Sequence, residues 1–154
     1  MKLSQRMDLA IQKLYAAFHD GELKPNCCLK CAVGNICNNR DFWRHFTDVH
    51  GSLVLNYTGQ VNEAFGRKFY GYSPSELIKI EYEFLQGCGY LLPIDKPGMM
   101  KRTHGKDELF IGLSKVIALL CELDGIPNVM DCSAIFNYAP VRQPRFDRMM
   151  SNEL

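Results

Sequence analysis

The sequence predicts a mostly α-helical protein that forms a single compact domain. Three stretches carry apolar residues three and four positions apart, the spacing of amphipathic helices. Alternation typical of a strand occurs once and is weak. A length of 154 residues suits one domain with its own core. We expect residues 1–139 to form this domain and residues 140–154, which are rich in Pro, Arg and Asp, to form a flexible tail.

The first helix is predicted over residues 3–18. Its apolar stripe consists of Leu3, Met7, Ile11, Leu14 and Phe18. Gly21 can adopt the left-handed conformation that ends a helix. Residues 27–39 show no clear period and hold four of the seven cysteines, so we expect an irregular cysteine-rich loop near the N-terminus.

The middle of the chain gives weaker patterns. Asp41 is a candidate N-cap for a short helix that carries Trp43. The alternation of residues 53–57 predicts a short strand, and the apolar spacing of residues 61–69 predicts a short helix.

Two longer helices follow. Ser73 and Glu76 form a capping box, with Pro74 at the first helical position, and Leu77 opens the apolar stripe behind it. Another helix begins near Asp107 and has a broad apolar face. Gly125-Ile126-Pro127 ends that helix, and residues 129–138 suggest one further short helix.

Composition excludes several classes of function. The chain has 18 basic and 17 acidic residues and a net charge of +1, so no strong field of one sign attracts nucleic acid. No apolar run is long enough to span a bilayer, and the first residues do not resemble a signal peptide. We therefore expect a cytoplasmic protein without membrane association, whose partner is an unidentified protein.

The cysteine-rich segment contains the clearest candidate site. Cys28 and Cys31 form a C-x2-C pair, and His45 and His50 form an H-x4-H pair after thirteen intervening residues. This order and spacing are typical of tetrahedral zinc sites with two cysteine and two histidine ligands. Cys37 is an alternative to one histidine, and Cys27 lies beside the first pair. The two histidines are five residues apart, which on an ideal helix does not place them on one face.

The same cysteines are also compatible with redox chemistry or with simple packing. An iron–sulfur cluster is disfavoured, because the plant-type spacing C-x4-C-x2-C differs from the C-x2-C-x5-C found here. The pair Cys28 and Cys31 could act as a redox dithiol, with Lys30 able to lower a thiol pKa. Finally, reduced cysteines often pack as small apolar residues, and we expect this of Cys88, Cys121 and Cys132.

Several short motifs also recur in a known group of proteins. They are CAVGNI at residues 31–36, WRH at 43–45, HGSL at 50–53, GRKF at 66–69, GYSPSEL at 71–77 and NVMD at 128–131. Over residues 10–135 the chain resembles small proteins of Bacteroidetes-type bacteria, some of which are called a flavoprotein subunit of the sodium-translocating NADH–quinone reductase. That subunit is membrane-anchored and has a plant-type iron–sulfur domain, and neither its cluster spacing nor a flavin or NAD fingerprint occurs here. The resemblance implies one compact domain and no mechanism.

Together these observations predict a non-enzymatic, cytosolic helical domain with a structural zinc site that serves as a binding or regulatory module. A thiol-redox protein that uses Cys28 and Cys31 is the first alternative. A metal-free helical interaction protein with packed thiols is the second.

Overall fold

The computed structural model of the chain describes residues 3–94, 104–128 and 131–140. This part of the chain forms six α-helices and one 3-10 helix, and it contains no strand. The elements are α1 (Gln5–Asp20), α2 (Ala32–Ile36), the 3-10 helix (Phe42–Phe46), α3 (Tyr57–Ala64), α4 (Pro74–Gly87), α5 (Lys106–Leu123) and α6 (Cys132–Ile135). The predicted helical class is therefore confirmed. The tail predicted at 140–154 lies, apart from its first residue, outside the described residues.

Helix α4 lies at the centre of the fold and packs against α2, α3, α5 and the 3-10 helix. Its most extensive contact is with α5, where a Cβ on Gly87 would stand 2.6 Å from the Cα of Gly112. The helices can come this close because both residues at the contact are glycines, which have no side chain. The buried face of α4 includes Leu77, Ile80, Phe84 and Leu85, which pack into the common core.

Two predicted helix ends are confirmed, the end of α1 and the start of α4. Gly21 ends α1 with a φ of 72°. The capping box of α4 is present: the Glu76 amide donates to the Ser73 hydroxyl, and the Ser73 amide donates to Oε1 of Glu76 at 2.9 Å. These local rules work because the first and last turns of a helix lack backbone partners of their own.

The predicted strand at residues 53–57 is wrong. The side-chain oxygen of Asn56 caps α3 by accepting a hydrogen bond from the backbone amide of Gly59. The backbone amide of Asn56 donates to the carbonyl of Phe46. This cap starts the helix at Tyr57, four residues earlier than the apolar spacing predicted, and the helix ends at Ala64. The alternating residues do not form a buried face, because Val54 and Tyr57, which would lie on opposite faces of a strand, are both largely exposed.

No helix among the described residues is both long enough and apolar enough to cross a membrane.

Candidate functional site

A tight turn presents the first two candidate ligands. The carbonyl of Cys27 accepts hydrogen bonds from the amides of Lys30 and Cys31 at 2.9 and 2.8 Å. The turn is also held from the side by Asn35, whose Nδ2 donates to three backbone carbonyls, those of Glu22, Lys30 and Cys31. The chain in this segment is thus fixed by backbone and amide hydrogen bonds.

Cys31 is fully buried and acts as the N-cap of α2. Its Sγ accepts from the amide of Gly34 at 3.3 Å and faces the carbonyl of Cys28 at 3.6 Å. Cys28 is half-buried, and its side chain lines a cleft of about 430 Å³. The pair therefore has one thiol in the core and one at the base of an open cleft.

Trp43 and His50 close the other side of this cleft. The indole Nε1 of Trp43 donates to the carbonyl of Cys28 at 3.3 Å, and its ring meets the imidazole of His50 edge to face at 6.1 Å. His50 lies four residues beyond the end of the 3-10 helix, so the helical spacing between the two histidines does not apply. Its backbone carbonyl accepts from the amide of Ile94 at 2.8 Å.

A buried carboxylate lies behind these residues. Glu81, in the middle of α4, is 1% exposed, and its Oε2 lies 3.1 Å from Nε2 of His50. Its Oε1 is also buried and makes no hydrogen bond of ordinary geometry to the residues that the structure describes, although the thiol of Cys31 lies close enough to the carboxylate to interact with it. An unsatisfied buried oxygen is rare and often indicates a water molecule or an ion.

The carboxylate of Glu81 affects the pKa of both thiols. Burial raises the pKa of the Cys28 thiol, and the charge of Glu81 raises it further, while Arg44 lowers it. Burial raises the pKa of Cys31 well above its usual value, and the nearby Glu81 carboxylate adds to the effect. These surroundings oppose the low thiol pKa that the redox hypothesis requires. They suit a site where a bound cation stabilises the thiolates.

The other two candidate ligands are placed differently. His45 is exposed and lines the same cleft as Cys28 and His50. Cys37 is buried at the end of α2, where the charged group that affects it is the ammonium of Lys13 on α1. The structure thus places His50 against Glu81, with Cys28 and Cys31 near enough for the charge of Glu81 to affect their pKa values, leaves His45 at the edge of the cleft and sets Cys37 apart. Cys88 and Cys121 are buried as predicted, whereas Cys132 is only half-buried.

These groups are neighbours without forming a finished coordination shell. In the part of the chain that the structure describes, no three His, Cys, Asp or Glu side chains are close enough together to hold a metal ion as they stand. Binding a metal here therefore requires side chains such as Cys28, at the open side of the cluster, to turn inward.

Glu81 was missed in the sequence, although its position there is unusual. It lies one turn from Leu77 and one turn from Leu85, within the buried stripe of α4. A carboxylate on an apolar helix face is rarely buried unless it is paired or binds a metal. That exception to the helical pattern was sufficient to single out Glu81 as a candidate.

Comparison with known proteins yields no significant match to a family model, a curated protein or a solved structure.

Proposed function

We propose that this chain is a non-enzymatic helical domain that binds one zinc ion through Cys28, Cys31 and His50 and serves as a binding or regulatory module. The observation that carries the proposal is the 3.1 Å contact of His50 with the buried carboxylate of Glu81, beside a cleft that Cys28 also lines, with Cys28 and Cys31 near enough for the charge of Glu81 to raise their pKa values. Sulfur and nitrogen donors of this kind are the usual ligands of structural zinc.

The energetics of the cluster favour a bound cation. Burying a carboxylate costs several kcal/mol unless a partner offsets the cost. Glu81 has the imidazole of His50 as its partner on one oxygen, and its other oxygen has no hydrogen bond of ordinary geometry within the described chain. A divalent ion next to the carboxylate of Glu81 would offset its charge and would also stabilise the thiolates of Cys28 and Cys31.

A structural role suits this arrangement better than catalysis. A structural zinc site has four protein ligands, so this role requires a fourth protein ligand besides Cys28, Cys31 and His50, whereas a catalytic site keeps that position open for water or substrate. The ligands named here come from two segments, the turn that ends in the buried, helix-capping Cys31 and the segment of His50, which contacts α4 through Glu81, so a metal would fasten parts of the core together. We also propose a cytoplasmic location, because the cysteines form no disulfide in the described structure and reduced cysteines persist in a reducing compartment.

The role as a binding module is supported by an exposed apolar stretch next to the site. Leu53, Val54, Tyr57 and Phe65 lie before, on and just after α3 and are exposed by 50, 72, 80 and 72% respectively. Large apolar side chains that stay in water often mark interaction surfaces.

Elemental analysis of the untagged, reduced protein tests the zinc site. We expect one zinc per chain in the native protein and in Cys132→Ser, a control that changes a half-buried cysteine elsewhere. We expect no zinc in Cys28→Ser. A chelator should lower the Tm of the native protein to that of Cys28→Ser, because structural zinc contributes folding free energy. A native protein that holds no zinc, with a Tm unaffected by chelator, would contradict the proposal.

A further inference from the structure

We propose that Glu81 is the fourth zinc ligand, so that the metal joins the cysteine turn and His50 directly to α4. This inference rests on the proposed zinc site and completes it with a residue outside the C-x2-C and H-x4-H motifs. The site then has two sulfur, one nitrogen and one oxygen ligand, from Cys28, Cys31, His50 and Glu81.

The spacing of His50 and Glu81 supports direct ligation. Zinc–nitrogen and zinc–oxygen bonds are about 2.0–2.2 Å long, so two such ligands in a tetrahedron lie about 3.3 Å apart. Nε2 of His50 and Oε2 of Glu81 lie 3.1 Å apart. One zinc ion can therefore replace the hydrogen bond between these two atoms with little change in either side chain.

Burial favours Glu81 over the alternatives. Glu81 is 1% exposed, and its Oε1 has no hydrogen bond of ordinary geometry among the described residues. A zinc ion bound to Oε2 offsets the charge of this buried carboxylate. His45 is exposed at the rim of the cleft, so recruiting it would leave the buried carboxylate of Glu81 close to the metal but without a bond to it. Cys37 lies near Lys13 on α1 and is remote from His50 in its contacts.

The charge of the complete site is also balanced by its surroundings. Two thiolates and one carboxylate around Zn²⁺ give a net charge of −1. Arg44 lines the same cleft and is close enough to Cys28 to lower the pKa of its thiol. Its guanidinium can therefore offset the remaining negative charge at the open side of the site.

Replacing zinc by Co²⁺ tests this ligand set, because cobalt reports its donor atoms in its visible spectrum. The variant Glu81→Gln keeps the size of the side chain and removes its charge. We expect it to lower the zinc affinity, measured by competition with a chromophoric chelator, by more than the roughly 10- to 100-fold typical of losing an outer-shell partner. We also expect it to shift the d–d bands of the cobalt protein. His45→Ala and Cys37→Ser are the controls and should change neither quantity.

Two results would overturn the assignment of Glu81. If Glu81→Gln binds zinc like the native protein, or binds it more weakly with an unchanged cobalt spectrum, Glu81 is not a ligand. In both cases the zinc site of the proposed function survives, whereas a native protein without zinc affinity would refute both proposals. If Glu81→Gln does not fold, X-ray absorption at the zinc edge of the native protein decides. A shell of two sulfurs, one imidazole and one oxygen supports Glu81, and two imidazoles or a third sulfur overturn it.

Discussion

The backbone of Gly34 lies directly against the backbone of Cys28. A Cβ on Gly34 would overlap the carbonyl oxygen of Cys28 and would stand 2.6 Å from the carbonyl carbon of Leu29. The same Cys28 carbonyl accepts the indole hydrogen bond of Trp43 and faces the thiol of Cys31. The first turn of α2 is therefore pressed onto the peptide that positions the candidate site.

We expect Gly34→Ala to disrupt this contact. Because backbone atoms on the opposite side cannot rotate away, the turn would have to shift, at a cost of about 1–3 kcal/mol. Urea unfolding measures the loss of stability, and zinc stoichiometry reports the effect on the site. Gly105→Ala is the control for the added Cβ, since nothing lies within 4 Å of it and the change brings only the cost of alanine at the N-cap of α5. A loss no larger than that of the control would contradict the close packing.

Asn35→Asp should weaken the same segment from its other side. Nδ2 of Asn35 donates to the carbonyls of Glu22, Lys30 and Cys31, and the side chain is only 8% exposed. The substitution keeps the shape but turns the donor into an oxygen that repels all three carbonyls. We expect a loss of about 2–3 kcal/mol in the free energy of unfolding.

The control for this substitution is Asn62→Asp. Nδ2 of Asn62 donates within its own helix and its Oδ1 accepts from Arg67, so the new charge gains a favourable partner. Chemical denaturation of both variants measures the difference. Equal losses would show that the three hydrogen bonds of Asn35 contribute little.

Arg6, in α1, contacts the end of α5 and the segment just before α4. We therefore expect Arg6→Lys to be destabilising, although both residues are basic. Its guanidinium contacts Asp124 at 2.7 Å, donates to the carbonyls of Gly71 and Leu123, and lies 4.6 Å from the centre of the Tyr72 ring. A lysine ammonium cannot reproduce this planar set of contacts. We expect a loss of about 1–3 kcal/mol, against less than about 0.5 kcal/mol for the exposed control Arg67→Lys. Thermal or urea unfolding checks both values.

The helix pattern could be predicted from the sequence because it depends on local chemistry. Ser73 with Glu76 fixed one helix start, and Gly21 fixed one helix end, through hydrogen bonds and dihedral angles close in sequence. The predicted strand before Tyr57 failed because alternation alone does not reveal whether one face is buried. The cap at Asn56 was the stronger local preference, and it decided the structure.

The candidate site was only partly predictable for a related reason. Spacing within the chain paired Cys28 with Cys31, and both belong to one turn. His45 and Cys37 matched the same motif, but their positions depend on tertiary packing that spacing does not encode. Glu81 is fifty residues from Cys31 in sequence and reaches it only because α4 packs against α2. Long-range partners of this kind follow from the fold.

Stability should fall in alkaline solution, partly through Cys37. Burial raises the pKa of this thiol from 9.0 to about 12, although Lys13 opposes the shift. The folded state therefore holds the proton more tightly than the unfolded state. The contribution of this thiol to the free energy of unfolding is fully present below pH 9 and is lost as the pH rises from 9 towards 12. At pH 10.5 the loss through this one thiol is about 2 kcal/mol.

The variant Cys37→Ala isolates this contribution. It should be less stable than the native protein at pH 7, because it leaves a small cavity in the core. Its stability should then decline less steeply between pH 8.5 and 10.5. Parallel slopes of stability against pH would show that the thiol of Cys37 is not the group that titrates.

Alkylation rates separate the redox hypothesis from the zinc site. A redox dithiol needs a thiolate near neutral pH, but burial and Glu81 raise the pKa of both Cys28 and Cys31. We therefore expect iodoacetamide to modify both residues much more slowly at pH 7.5 in the metal-free native protein than in urea, as followed by mass spectrometry of the peptides. Cys31 should be the slower of the two, because it is fully buried while Cys28 lines the cleft. Rapid alkylation of Cys28 in the native protein would instead mean that Arg44 outweighs Glu81 and that this thiol is ionised. The redox hypothesis would then be favoured over the structural zinc site.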